Sequence, residues 1–132
     1  MYQSMMTFIY IEDLEEASYF FEKVLDCEAI YEPSWATVYK VASNAYIGIV
    51  DQSKGSVKKK YKGGTLISLT VESIAPYYEA IKTYGVKGLS EIKNFEEIGV
   101  RSFFFKGPGD YDFEIQMFVK SEIKKLFTKE DS

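Results

Sequence analysis

The stretch RSFFFKGPGDYDFEIQMF, residues 101–118, sets one carboxylate, Glu114, in the middle of an aromatic, strand-like run. Four kinds of chemistry are open to a carboxylate so placed: metal ligation, proton transfer, attraction of a ligand, or simple exposure on a wet face. Nearby polar groups of useful type are Arg101, Asp112 and Gln116. A four-residue turn, Gly107 to Asp110, would set Phe105 opposite Asp112, Phe103 opposite Glu114 and Arg101 opposite Gln116. By strand alternation one face then carries Arg101, Phe103, Phe105, Asp112, Glu114, Gln116 and Phe118, and the other carries Phe104, Phe113, Ile115 and Met117. The first set mixes aromatic walls with a few placed polar groups, which is the composition of a binding pocket.

What such a site can do is narrowed by absences in the sequence. There is no histidine, which removes the commonest general base, the base of serine triads and the commonest zinc or iron ligand. Cys27 is the only cysteine, so neither an internal disulfide nor a cysteine metal cluster can form. Aromatics make up 17% of the chain, an excess that can fill a core or line a cavity. The formal net charge is −4, against which the basic stretch KGSVKKKYKGG, residues 54–64, reads as a solvated loop rather than a nucleic-acid surface. The start MYQSMMTFIY lacks the plan of a signal peptide, and no apolar run reaches membrane-spanning length. The expectation is a cytoplasmic protein with no nucleic-acid or membrane partner.

The 132 residues suit one domain built from two similar halves. Residues 5–11 read as a strand, and EDLEEASYFFEKVLD reads as a helix capped by Asp13, with Glu16 at capping-box spacing. Strands at about 27–31, 35–41 and 45–51 follow, the last two joined across Ser43 and Asn44. After the basic loop the order restarts: a strand at 65–72, then a helix capped by Ser73, with Pro76 in its first turn and Gly85 as its stop. Strands at about 90–95, 100–106 and 111–118 complete the second half, and a short polar helix can follow in 120–132. Ile11-Glu12-Asp13-Leu14 falls on Val71-Glu72-Ser73-Ile74, and Ile47-Gly48-Ile49 falls on Phe113-Glu114-Ile115. The organisation is module 1 at about 1–52, a basic loop at 53–64, module 2 at about 65–118, and a polar tail at 119–132.

Two segments carry a resemblance to a known superfamily. IEDLEEASYFFEKVLDCEAI and GVRSFFFKGPGDYDFEIQ, in this order and in a doubled frame, resemble the vicinal oxygen chelate superfamily of glyoxalases, extradiol dioxygenases and fosfomycin- and bleomycin-resistance proteins. The resemblance implies an α+β fold: two βαβββ modules forming a cup-shaped mixed sheet, with helices outside and ligand inside. It also implies a symmetric homodimer. The family's Leu-Gly after the first helix is Leu25-Asp26 here, and its Asp-Pro-Asp-Gly turn is Gly107-Pro108-Gly109-Asp110. In metal-using members the ligands come from the first and last strand of each module. Carried over, those positions are Met6, Gly48, Leu66 and Glu114, of which only Glu114 suits a hard or borderline cation. No metal and no cofactor is expected.

The cup lining then draws on Phe8, Tyr10, Trp35, Tyr39, Arg101, Phe103, Phe105, Glu114 and Gln116, with Met6, Thr37, Tyr46, Val50, Leu66, Ser68 and Thr70 beside them. Phe and Tyr walls suit stacking and cation–π contact, and the carboxylates favour a cationic or neutral aromatic ligand. The first functional expectation is therefore a metal-independent binding protein for a small aromatic or cationic molecule, and the balance leans away from an enzyme. One alternative is a cofactor-free isomerase or lyase with Glu114 as general base. Another is a scaffold module whose cup is plugged by Phe103 and Phe105, and a third has Arg101 serving only as an ion-pair partner of Glu114 or Asp112.

Overall fold

The computed structural model describes residues 1–56 and 64–128. Most of the basic stretch of residues 54–64 thus lies outside the described residues. The chain divides into two compact units: Met1–Gly63 with Gly107–Asp110, and Gly64–Lys106 with Tyr111–Ser132. Each contains a four-stranded mixed sheet with a helix on one face, so the α+β fold of two βαβββ modules stands.

In the first unit the elements are β1 (Met5–Ile11), α1 (Leu14–Tyr19), β2 (Glu28–Tyr31), β3 (Ala36–Ala42) and β4 (Ala45–Asp51), in sheet order β1-β4-β3-β2. β1 runs parallel to β4, and the other pairs are antiparallel. Helix α1 starts where Asp13 accepts a hydrogen bond from the Glu16 amide at 3.2 Å, the capping contact its sequence predicts. The helix then widens into a π-turn over Phe20–Val24, with the Leu25 amide reaching back to the Phe20 carbonyl at 3.0 Å. It ends at Asp26, which takes φ +55°, while the Cys27 amide bonds to the Phe21 carbonyl at 2.8 Å. That is the left-handed helix stop usually given to glycine, here filled by an aspartate. Ile9, Ile11, Ile47 and Ile49 are buried on the helix side of this sheet, where the Phe21 ring stacks on Tyr39 at 5.1 Å.

In the second unit the order is β5 (Leu66–Thr70), α2 (Ile74–Lys82), β6 (Lys93–Phe95), β7 (Val100–Lys106), β8 (Asp112–Phe118) and α3 (Ser121–Phe127). Its sheet, β5-β8-β7-β6, repeats the first arrangement, parallel at β5–β8 and antiparallel elsewhere. Helix α2 buries Ile74 and Ile81 and sets the Tyr78 ring edge-on against Phe103 at 5.0 Å. Ser73 occupies the position before the helix without a side-chain capping bond, so α2 depends on its buried stripe more than on its cap. The predicted strand over 90–95 shortens to β6, yet Ser90 still grips β7. Its amide donates to the Phe104 carbonyl and its Oγ accepts from the Phe104 amide, both at 2.9 Å.

Two registers differ from the expectation, each by one residue. Lys106 pairs with Asp112, so the β7–β8 turn spans residues 107–111 rather than 107–110. Gly109 and Asp110 both take positive φ there, which uses up the extra residue. Phe103 therefore faces Ile115, and Phe104 faces Glu114. In the first unit Ala42 pairs with Ala45 across the Ser43-Asn44 turn, but Lys40 pairs with Tyr46, so the strand bulges at Val41. Tyr39 then lies beside Ile47 and Thr37 beside Ile49. A one-residue slip exchanges the two faces of a strand, and it does so here twice.

Candidate functional site

The slips redistribute the expected lining. Phe103 and Phe105 belong to the helix-side core with Phe113 and Ile115, and Phe103 is 0% exposed. Stacked contacts join Phe103 to Phe105 at 5.9 Å and Phe105 to Phe113 at 5.8 Å. Tyr39 likewise is buried beneath α1, donating its hydroxyl to Glu22 Oε2 at 2.8 Å. Burial, ahead of the neighbouring hydrogen bonds and charges, pushes the Tyr39 phenol up to about 12. Arg101 shares the parity of Phe103 and pairs with Met117, and its side chain is exposed. Asp112 takes Lys106 as its ion-pair partner, Nζ to Oδ1 2.6 Å. Trp35 stands just ahead of β3, half-exposed.

What remains with Glu114 is a coherent patch on the open face of the second sheet. Across the ladders its neighbours are Ser68 on β5 and Phe104 on β7. Gln116 follows on the same strand and face, donating from Nε2 to Thr70 Oγ1 at 3.1 Å, and it pairs with Ser102 on β7. Phe104 is the aromatic wall: Lys93 Nζ lies 5.9 Å from its ring centroid, and Phe95 meets it edge-on at 6.4 Å. The Lys93 contact shows that this ring attracts a cation.

Two polar residues of this patch are largely enclosed, and one of them carries a side-chain atom that is both buried and unpartnered. Glu114 is 9% exposed, and among the described residues its carboxylate forms neither an ion pair nor a hydrogen bond. Ser102 is 0% exposed, and its Oγ has no hydrogen-bond partner. They occupy diagonal positions on adjacent strands, about 7–8 Å apart by sheet geometry. An unpaired buried hydroxyl costs roughly 1–3 kcal/mol, a cost that falls on Ser102 and not on the Glu114 carboxylate, which solvent still reaches. Of the two, the Glu114 carboxylate is the group that a partner from outside can reach.

The first unit presents Met6, Phe8 and Tyr10 on the open face of its sheet, beside Tyr46, Gly48 and Val50. A Cβ placed on Gly48 would lie 2.5 Å from the Phe8 ring, so Phe8 fills the space that a side chain at 48 would need. Of the four positions implied as metal ligands, Met6 and Leu66 are half-exposed apolar residues, Gly48 has no side chain, and Glu114 has Ser68 and Phe104 as neighbours. Among the described residues no group of three or more Asp, Glu or Cys side chains gathers. This donor set does not fit a divalent metal.

Solved structures with the same architecture are numerous. The fosfomycin resistance protein FosX from Listeria monocytogenes aligns with a TM-score of 0.73 at 18% identity, covering 92% of this chain and 98% of that one. Lactoylglutathione lyase from Agrobacterium tumefaciens aligns at 0.73 and 14% identity, over 95% and 96%. A glyoxalase/bleomycin resistance protein/dioxygenase from Nocardioides aligns at 0.72 and 14%, over 97% and 87%. The fold is that of the vicinal oxygen chelate superfamily. At these identities the likeness is one of fold, and the chemistry has to come from the site. No family model matches the sequence, and no curated protein matches it. Among the described residues no helix is long and apolar enough to cross a membrane.

Sequence reasoning missed Ser102 and Phe104. The signal for Ser102 was its isolation as the polar residue in the run VRSFFF. Only the ladder register shows that it shares a face with Glu114.

Proposed function

We propose that this protein binds a small cationic, aromatic molecule without a metal, on the open sheet face around Glu114. The observation that carries the reading is Glu114 itself, a largely enclosed residue whose carboxylate has no partner among the described residues. An ammonium or amidinium seated there gains a charge-assisted contact with Glu114 beside the aromatic Phe104. Phe8 over Gly48 and the apolar residues at Met6 and Leu66 support metal independence. The half-exposed Met6, Phe8 and Leu66 also support a homodimer, in which such surfaces are covered. The proposal keeps the protein in the cytoplasm.

A second reading, a cofactor-free isomerase or lyase, draws on Glu114 as the general base that takes a proton. The scaffold reading loses its plug, since Phe103 and Phe105 are core residues of the second unit. A thermal-shift screen of small amines, neutral aromatics and carboxylates tests the proposal. Amines should raise the melting temperature of the wild type and leave Glu114→Gln unmoved. A response confined to carboxylates would sink it.

A further inference from the structure

Following the open face of the second sheet from Glu114 towards the C-terminal end of β8, polarity falls in steps. Glu114 and Ser68 form a charged level, and Gln116, Thr70 and Ser102 form a hydrogen-bonding level. Beyond them the face opens into a groove of about 540 Å³, lined by Thr70 and Gln116 at its near end and by Val100, Phe118, Ile123 and Phe127 farther on. Helix α3 forms one wall. It is tied down by Lys124 Nζ on Glu72 at 2.6 Å, by the Val119 amide on the Gly99 carbonyl at 2.9 Å, and by the Phe127 ring stacked on Phe118 at 5.3 Å and 15°. The opposite wall is the short 3-10 turn Glu96–Ile98, whose Ile98 side chain is largely exposed.

The groove has features that a merely imperfect fit would not combine. Its far end is apolar, and the charged residue among those lining it is Glu97, an exposed carboxylate. Its near end is continuous with a polar level whose Ser102 hydroxyl is buried and unpartnered. Four strand steps lead from Glu114 to Phe118, about 13 Å at strand rise. An apolar tail is favoured by the far end, and an anion is disfavoured by both Glu114 and Glu97.

We infer that the ligand is an amphipathic amine: its cation sits at Glu114, and its alkyl or arylalkyl tail runs past Gln116 into the groove beneath α3. This rests on the reading of Glu114 as the cation site and adds the chemical class and the length of the ligand. Phe127 and Ile98 act as the two sides of a slot, so the protein measures chain length as well as charge.

The test is isothermal titration with butyl-, hexyl-, octyl- and decylamine below their aggregation limits, and with hexanoate and octanoate as anions of matching length. Affinity should rise about three- to fourfold per methylene until the groove is filled, as expected for burying a methylene. In Phe127→Ala, and independently in Ile98→Ser, which leaves α3 intact, that dependence should flatten. It should persist in Lys125→Ala, on the exposed side of α3. Amines that bind through Glu114 with no dependence on length overturn the groove assignment and leave the cation site standing. Binding of any length that Glu114→Gln does not weaken overturns both. Octanoate binding as tightly as octylamine also overturns the inference.

Discussion

Glu114 and Phe103 sit one register step apart, and their burial has opposite meanings. Phe103 is enclosed by Tyr78, Phe105 and the rest of the helix-side core, so its truncation to Ala should cost about 3–5 kcal/mol of stability. Phe104→Ala, on the open face, should cost much less stability and instead weaken ligand binding. Urea denaturation of the two variants beside ligand titration separates these roles. Glu114→Gln should leave the stability of the ligand-free protein within about 0.5 kcal/mol of the wild type, because the carboxylate makes no ion pair or hydrogen bond among the described residues. A carboxylate that holds the fold together would show a clear loss of stability instead. At Tyr39 the argument concerns pH. The buried phenol keeps its proton up to about 12, against an ordinary value of 10.0. Between those values the unfolded chain binds fewer protons at this group than the folded one, so its contribution is full below pH 10 and is lost as pH rises towards 12. Melting temperatures of the wild type and Tyr39→Phe at intervals from pH 8 to about 11.5 should show a shallower alkaline decline in the variant.

At the scale of elements, the end of α1 offers a direct check on the helix stop. Asp26 holds a left-handed backbone conformation that glycine takes at no steric cost. Asp26→Gly should therefore stabilise the protein by about 1 kcal/mol, read as a shift in the denaturation midpoint. The elements themselves were legible in the sequence. β4 and β7 fall where residue type predicts, Asp13 caps α1, and the two halves repeat one sheet order. Faces were less legible, because parity depends on counts that side-chain type does not record. Tyr111 reads as a strand residue but belongs to the turn, and Val41 reads as a regular strand residue but lies in a bulge. Each single-residue difference turned over a whole strand, taking Arg101, Phe103 and Phe105 away from Glu114 and Tyr39 away from the open face of its sheet. Glu114 and Gln116 kept their shared face because both lie on β8, where the period of two holds within one strand. A site read within one strand survives such slips, and a site assembled across strands does not.

For the whole molecule, the fold is shared with proteins named for fosfomycin resistance and for lactoylglutathione lyase activity, and the proposal of metal independence is open to direct test. Elemental analysis of the purified protein should find no stoichiometric transition metal, and EDTA should leave its melting temperature unchanged. Light scattering should give twice the 15.2 kDa chain mass, and a monomer at all accessible concentrations would count against the dimer. These results bear on the setting of the site, and the site itself answers to one titration. Calorimetry of 2-phenylethylamine against wild type and Glu114→Gln, with 3-phenylpropionate as the anion of similar shape, addresses the cation-binding claim directly. The account predicts saturable binding of the amine, weakened about ten- to a hundredfold by Glu114→Gln, and little or no binding of the anion. Amine affinity unchanged by Glu114→Gln, or tighter binding of the anion, would contradict it.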